Sequence, residues 1–358
     1  MDLDVICLEK PEGWDAELKQ FKGSLFLSQT FLESIPSKSG IPVYFKILKD
    51  NKTIALLSGL SRPINHFRQL FFYAGFAGSF NDPENLKECK SALIRFARDN
   101  SIARLTFRSY DDTSFIEAQI KELIIARKRA EFVFDLTKTK DDITQGFDRD
   151  LRRVIRNSIK NKIVFKQSFS FDLFDHLINL IDRTHEIRVS KGYSGYNAFV
   201  IPFIDKNVIK NLLETRSATF FYLKEGNEIL SMQFTIMSSG RAYGMLMGTS
   251  KTGYKLGAPS RLFYDIIMYL KEKDFYSYNI GGVPDGPKNL GLRNFKESMG
   301  PLIFQSREEN SDFLISSLSQ YNLIMQFKRK IMDMPLPYLV KKVLRKILNF
   351  LVKNPDQI

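Results

Sequence analysis

Arg216-Ser-Ala-Thr-Phe-Phe-Tyr-Leu-Lys224, Glu225-Gly-Asn227, Glu228-Ile-Leu-Ser-Met-Gln-Phe-Thr-Ile-Met237, Ser238-Ser-Gly240 and Arg241-Ala-Tyr-Gly-Met-Leu-Met-Gly248 follow one another without a gap. β-branched, aromatic and other large apolar residues carry the first, third and fifth pieces, and Gly, Asn and Ser mark the two between. The stretch therefore reads as strand, tight turn, strand, turn, strand. Gly257-Ala-Pro-Ser260 comes next, and proline suits the first turn of a helix because its missing N–H has no partner there. From Ser260 to Lys273 the residues Leu262, Phe263, Ile266, Ile267 and Leu270 form one apolar stripe at helical spacing, able to lie on a sheet. A further strand, Phe275 to Ile280, ends at Gly281-Gly282, and Gly291-Leu-Arg-Asn-Phe-Lys-Glu-Ser-Met-Gly300 reads as a short helix closed by glycine.

The same order of elements occurs about 175 residues earlier. Pro42 to Ser58 reads as a hairpin with Lys49-Asp-Asn51 where Lys224-Glu-Gly226 stands later. Gln69 to Gly75 is a third strand, Asn85 to Asn100 an amphipathic helix with Leu93, Phe96 and Ala97 inward, and Ile102 to Phe107 the following strand. The spacing is that of one domain, so the chain reads as two copies of one α+β fold. The expected division is 1–148, 149–310 and a helical basic tail, 311–358.

At 358 residues and 44% hydrophobic content the chain can bury two sizeable cores, and composition excludes disorder. The only cysteines, Cys7 and Cys89, are far apart and lack metal-ligand spacing, which excludes a disulfide framework and a zinc site and points to a reducing compartment. The segment Met1 to Lys10 does not read as a signal peptide, and no apolar run reaches membrane-spanning length. The expected location is cytoplasmic, at most peripheral to the inner face of the membrane.

Net charge is +13 and unevenly spread. Arg149, Arg152, Arg153, Arg156, Lys160, Lys162 and Lys166 face a single acid, Asp150, and Leu151, Ile155 and Ile159 repeat at i+4. The segment reads as a helix with its basic side outward, either a solvated face at a domain junction or a surface for phosphates of a nucleotide-linked substrate, a lipid head group or tRNA. From Lys328 to Lys353 a second set of cations alternates with Ile, Leu and Val around Pro335 and Pro337. Such a tail can lie in an anionic membrane interface or cover the body of the protein.

The familiar catalytic sets are missing. His66 stands alone, and His176 and His185, nine residues apart on a predicted helix from Phe171 to Ser190, do not share a face at metal distance. No nucleophile elbow, Walker loop or Rossmann glycine pattern occurs in its required setting. The chemistry left is positioning: an amine held beside an activated acyl group, with a cation or N–H donors meeting the charge that develops on the carbonyl oxygen. Lys296, on a short helix beside a Gly-Gly strand exit, is placed for that role, and Gly281 and Gly282 permit close backbone approach to a ligand.

The set Leu151-Arg-Arg-Val-Ile-Arg-Asn-Ser-Ile-Lys160, Thr184-His-Glu-Ile-Arg188, Gly257-Ala-Pro259, Tyr278-Asn-Ile-Gly-Gly282 and Gly291-Leu-Arg-Asn-Phe-Lys296 followed by Gly300 resembles the Fem family of peptidoglycan bridge-forming aminoacyl transferases. The resemblance covers about Gly23 to Gln305 and is most specific from Gly291 to Gly300. It implies two tandem acetyltransferase-like (GNAT) domains and transfer of an amino acid from aminoacyl-tRNA to a primary amine on a nucleotide- or lipid-linked cell-wall precursor. It further implies Lys296 as the cation that stabilises the transition state and Arg188 as a ligand of substrate phosphates. The expected substrate-binding set is Arg188, Arg153, Arg156, Tyr243, Tyr254, Gly281, Gly282 and Phe295. No tightly bound cofactor is expected, with aminoacyl-tRNA or acyl-CoA serving as co-substrate. Tyr254-Lys-Leu-Gly-Ala-Pro259 departs from the pyrophosphate-cradling loop of acetyl-CoA-dependent relatives, which favours a donor other than CoA. Two alternatives stay open: an acyl-CoA- or acyl-carrier-dependent N-acyltransferase acting on an amino sugar, and a non-catalytic basic protein that binds nucleic acid or anionic membrane.

Overall fold

The computed structural model describes residues 3–64, 67–78, 80, 82–112, 120–193, 199–283 and 289–315, with scattered positions between 322 and 344. His66 and most of the basic tail lie outside the described residues.

The first half runs β1 (Asp4–Leu8), α1 (Trp14–Gln20), α2 (Gln29–Glu33), β2 (Ile41–Lys49), β3 (Lys52–Ile64), β4 (Phe67–Phe72), β5 (Ala77–Gly78), α3 (Pro83–Asp99), β6 (Ile102–Phe107) and β7 (Leu123–Asp135). The second runs α4 (Lys140–Gln145), α5 (Arg149–Ile159), β8 (Val164–Ser168), α6 (Phe174–Ser190), α7 (Lys206–Glu214), β9 (Ala218–Glu225), β10 (Glu228–Ser238), β11 (Arg241–Thr249), α8 (Lys251–Lys255), α9 (Ala258–Glu272), β12 (Ser277–Gly282), α10 (Leu290–Glu297) and β13 (Leu302–Ser311). The repeat expected from sequence is present. β2, β3, β4, α3 and β6 match β9, β10, β11, α9 and β12 in order, and in both copies the third strand and the strand after the helix pair in parallel. Both hairpins close through two residues, Asp50-Asn51 and Gly226-Asn227, with positive φ at Asp50, Asn51 and Gly226.

The two halves share one sheet, ordered β1-β2-β3-β4-β6-β13-β7-β12-β11-β10-β9-β8. Each half gives its last strand to the other. β13 inserts beside β6, β7 lies beside β12, and the two exchanged strands pair antiparallel with each other from Leu302↔Val133 to Ser311↔Leu123. β13 brings buried carboxylates into the first half, where Lys90 pairs with Glu309 at 2.7 Å and Arg108 with Glu308 at 2.8 Å. Removing one partner of such a buried pair costs about 3–5 kcal/mol, because the other charge is then stranded away from water.

Side chains on the two faces of the sheet enter different cores. On β9, Phe220 joins a cluster with Trp14, Phe26, Leu177, Ile209 and Phe234, while the next residue, Phe221, joins Phe134, Leu262, Ile266 and Ile267 under α9. The apolar stripe foreseen for α9 is buried at Leu262, Phe263, Ile266, Ile267 and Leu270. The basic segment needs a correction. Its helix, α5, ends at Ile159, which is exposed, and Lys166 lies on β8, because the chain turns into the sheet edge there. Cys89 is a packing residue on α3 whose thiol burial pushes up to about 12.

Candidate active site

The parallel strands β11 and β12 pair over only three residues, Arg241–Tyr243 with Ser277–Asn279, and then part. Two small residues allow it. Gly244 sits on β11 where the strands separate, and a Cβ there would stand 2.9 Å from the Gln233 amide. Gly281 has φ +75, a conformation that favours glycine, at the bulge where β12 also breaks register with β7. Parting leaves a cavity of about 780 Å³ between β11, β12, α6, α9 and α10, a size suited to a small-molecule portion of a substrate.

At its floor lies Lys296, 7% exposed, on α10. Its Nζ donates to the carbonyls of Ile280 (2.5 Å), Gly281 (2.9 Å) and Gly282 (3.3 Å) and stands 5.6 Å from the centroid of Phe132. The Gly-Gly exit therefore presents carbonyls that hold a buried ammonium, and the longest of the three contacts points to the end of the strand. A Cβ built on Gly281 would lie 3.8 Å from Lys296 Nζ and 3.5 Å from Tyr243 Oη, so both groups border the space the missing side chain leaves.

Behind Tyr243 is a buried polar network from both halves. Tyr243 donates to Glu131 Oε1 (3.0 Å), and the Asn279 amide and Asp111 N–H donate to Glu131 Oε2 at 2.8 and 2.7 Å. Arg241 clasps Asp111 through Nε (2.6 Å) and a second nitrogen (2.9 Å). Burial alone would depress the Arg241 guanidinium, but the Asp111 carboxylate raises it above its ordinary value. Tyr278 and Thr235 both donate to Gln233 Oε1, which fixes that amide with its NH₂ group toward Met247.

The cavity wall carries Arg127 and Lys128 from β7, Arg188 from α6 and Lys191 just after it in addition to Lys296, and no carboxylate among the described residues lines it. Clustered cations without an acid suit an anionic ligand. Tyr254, also in the wall, has its phenol raised by partial burial, with the Thr184 hydroxyl and the Arg188 charge pulling the other way.

Among 358 residues the fold thus brings together Lys296, Arg188, Tyr243, Tyr254, Gly281, Gly282 and Phe295 from the expected set. Arg153 and Arg156 do not line the cavity. They lie on the exposed face of α5, whose Val154 does reach it, and Arg153 pairs with Asp150 at 3.3 Å. His176 and His185 are exposed, and no group of metal-ligating side chains occurs among the described residues.

This architecture is that of tandem GNAT proteins. A solved structure described as FemX superposes with a TM-score of 0.66 over 89% of this chain and 99% of that one, at 15% identity. A conserved protein of unknown function from Bacteroides thetaiotaomicron VPI-5482 superposes with a TM-score of 0.52 over 86% of this chain and 98% of that one, at 12% identity. No family model and no curated protein matches the sequence. At these identities the likeness concerns the fold. Among the described residues no helix is long and apolar enough to cross a membrane.

Among the site residues that sequence reading missed are Arg127, Lys128 and Glu131. All three lie on β7, and their signal was an acid and a basic run embedded in a strand-forming segment, Leu123 to Asp135.

Proposed function

We propose that this protein is an aminoacyltransferase of the Fem kind, moving an aminoacyl group from aminoacyl-tRNA to a primary amine on a nucleotide- or lipid-linked cell-wall precursor. The observation that carries the reading is the parted β11–β12 pair with Lys296 at its floor. A carbonyl held in that gap lies beside a fixed ammonium whose charge meets the oxyanion as the amine adds. Arg188, with Arg127 and Lys128, supplies cations for the phosphates of the acceptor, and Tyr254 and Phe295 give the cavity apolar and hydrogen-bonding wall. The exposed face of α5, with Arg149, Arg152, Arg153 and Arg156, suits the phosphates of a tRNA donor. The likeness to FemX supports the same class.

One observation favours a second reading, an acyl-CoA-dependent N-acyltransferase: the first turn of α9, at Gly257, Pro259 and Ser260, borders the cavity, and the positive end of a helix suits a pyrophosphate. Purified protein incubated in parallel with labelled aminoacyl-tRNA or labelled acetyl-CoA and a mixed pool of amine-bearing envelope precursors separates the two. Label should move from aminoacyl-tRNA and stop on RNase treatment. Movement from acetyl-CoA alone would establish the second reading, and movement of neither, with salt-sensitive RNA or vesicle binding untouched by Lys296→Ala, would make it a binding protein.

A further inference from the structure

Glu131 is 2% exposed and sits on β7, the strand the first half lends to the second. Its Oε2 is tied by Asp111 N–H (2.7 Å) and the Asn279 amide (2.8 Å), which sets the carboxylate plane, and its Oε1 accepts from Tyr243 Oη at 3.0 Å. The ring of Tyr243 is held edge-on by Phe26, with centroids 5.0 Å apart, and the residue lines the cavity while Glu131 does not. The phenol oxygen is thus poised between a buried carboxylate and the space at Gly281. That same space is also bordered by Lys296 Nζ, the phenol oxygen and the ammonium nitrogen standing 3.5 and 3.8 Å from where a Gly281 Cβ would be. A cation and a phenol backed by a carboxylate at one space answer the two requirements of amine attack on a carbonyl: charge gathers on oxygen, and a proton must leave nitrogen.

We propose that Tyr243 and Glu131 form the proton relay for the attacking amine, with Tyr243 the catalytic residue that touches substrate and Glu131 a positioning residue acting through it. The inference rests on the transferase reading and adds to it Glu131 and a proton-transfer role for Tyr243. As the neutral amine adds to the acyl carbon, the C–N bond forms and the carbonyl electron pair moves onto oxygen beside Lys296. The nitrogen passes one proton to Tyr243 Oη while Tyr243 passes its own to Glu131 Oε1. Collapse re-forms the carbonyl and breaks the bond to the donor oxygen, or sulfur in a thioester. The proton then returns from Glu131 through Tyr243 to the leaving atom, so no net proton is consumed. Because the carboxylate comes from β7, the chemistry of the second half depends on a strand of the first.

The test uses the full chain, labelled aminoacyl-tRNA as donor and a lysine-bearing muramyl pentapeptide nucleotide as acceptor, with wild type, Tyr243→Phe, Glu131→Gln and the double variant. Tyr243→Phe removes one oxygen and keeps the ring that packs on Phe26, so it tests the relay even where Glu131→Gln folds poorly. The expected result is a fall in kcat of about 10²–10⁴-fold for Tyr243→Phe with KM for both substrates within about threefold of wild type. Its kcat should keep rising with pH after wild type has reached a plateau, because hydroxide then takes the proton. The double variant should be no slower than the slower single variant, the behaviour of groups that act as a unit. Tyr243→Phe with wild-type kcat and pH profile overturns the relay while leaving the transferase reading standing. A uniform loss at every pH, matched by a loss of folded protein, also overturns it. Wild type that transfers from no donor removes the transferase reading and the relay with it.

Discussion

In the first half the parallel pair β4 and β6 stays hydrogen-bonded from Arg68↔Ile102 to Phe72↔Phe107, and in the second β11 and β12 part after three residues. Topology does not cause the difference, since both pairs follow the same hairpin and flank the same crossover helix. The seam residues do. Phe72 and Phe107 stack at 4.9 Å and fill the first seam, and counting from each pair's first residue, Phe107 stands where the second half has Gly282. Gly244, Gly281 and Gly282 put no side chains into the second seam where the strands separate and the cavity opens. At Phe107 and Gly282 the solid copy has an aromatic ring where the hollow one has a hydrogen atom, and the solid copy supplies β7 and with it Glu131, Arg127 and Lys128.

The comparison breaks first at Lys296, which has a cavity to serve only in the second half. Lys296→Ala should lower turnover by about 10³-fold, a loss of about 4 kcal/mol of transition-state stabilisation, while cooperative thermal unfolding is retained. Initial rates within twofold of wild type would make the hollow seam as silent as the filled one. Phe107→Ala asks the converse question. It should cost about 3–5 kcal/mol in denaturant unfolding by removing a stacked ring from a packed seam, and leave turnover per folded molecule unchanged. Refilling the open seam is a smaller perturbation: Gly244→Val meets the Gln233 amide and should cost about 1–3 kcal/mol by overpacking, with a several-fold rise in KM as its clearest sign. A control lies in the connection between the halves, away from either seam. Thr139 and Asp142 form a capping box at the start of α4, and the Thr139 hydroxyl and N–H hold the Asp142 carboxyl below its ordinary value. Its contribution is therefore present above the unfolded carboxylate range and lost as pH falls through the lower folded value. Asp142→Asn should erase a small part of the acid sensitivity of unfolding and nothing of turnover, and an equal change in both would tie the linker to the site.

The repeat was legible because its signals are local. Turn residues at Asp50-Asn51 and Gly226-Asn227, the stripe on α9 and Pro259 in its first turn each act within a few positions, and Lys296 and Gly281-Gly282 could be singled out by the same kind of reading. The strand exchange was not legible. β13 contains Ser306-Arg-Glu-Glu-Asn-Ser311, a polar run without strand-like apolar alternation, whose acids Lys90 and Arg108, some 200 residues away, neutralise inside the sheet. Glu131 was overlooked for the same reason, since the partners that make a buried carboxylate tolerable, Asn279, Tyr243 and the Asp111 N–H, come from β12, β11 and the loop after β6. Burial of charge is decided by distant partners, and spacing along the chain does not record them. Arg153 and Arg156 failed to reach the cavity because the face of α5 that packs against the protein is its apolar one.

Sharing β7 and β13 also sets an order of events during synthesis. β6 leaves the ribosome at Phe107, but the strand that covers its inner edge begins only at Leu302, roughly 195 residues later. Until then the amino-terminal half is a sheet with an open edge, and β7 gains its first antiparallel partner, β12, only once Ser277 to Gly282 has been made. A nascent chain interrupted before Leu302 is accordingly a ready substrate for edge-to-edge association and for chaperones, and refolding of the finished protein must wait on one of its most distant pairings.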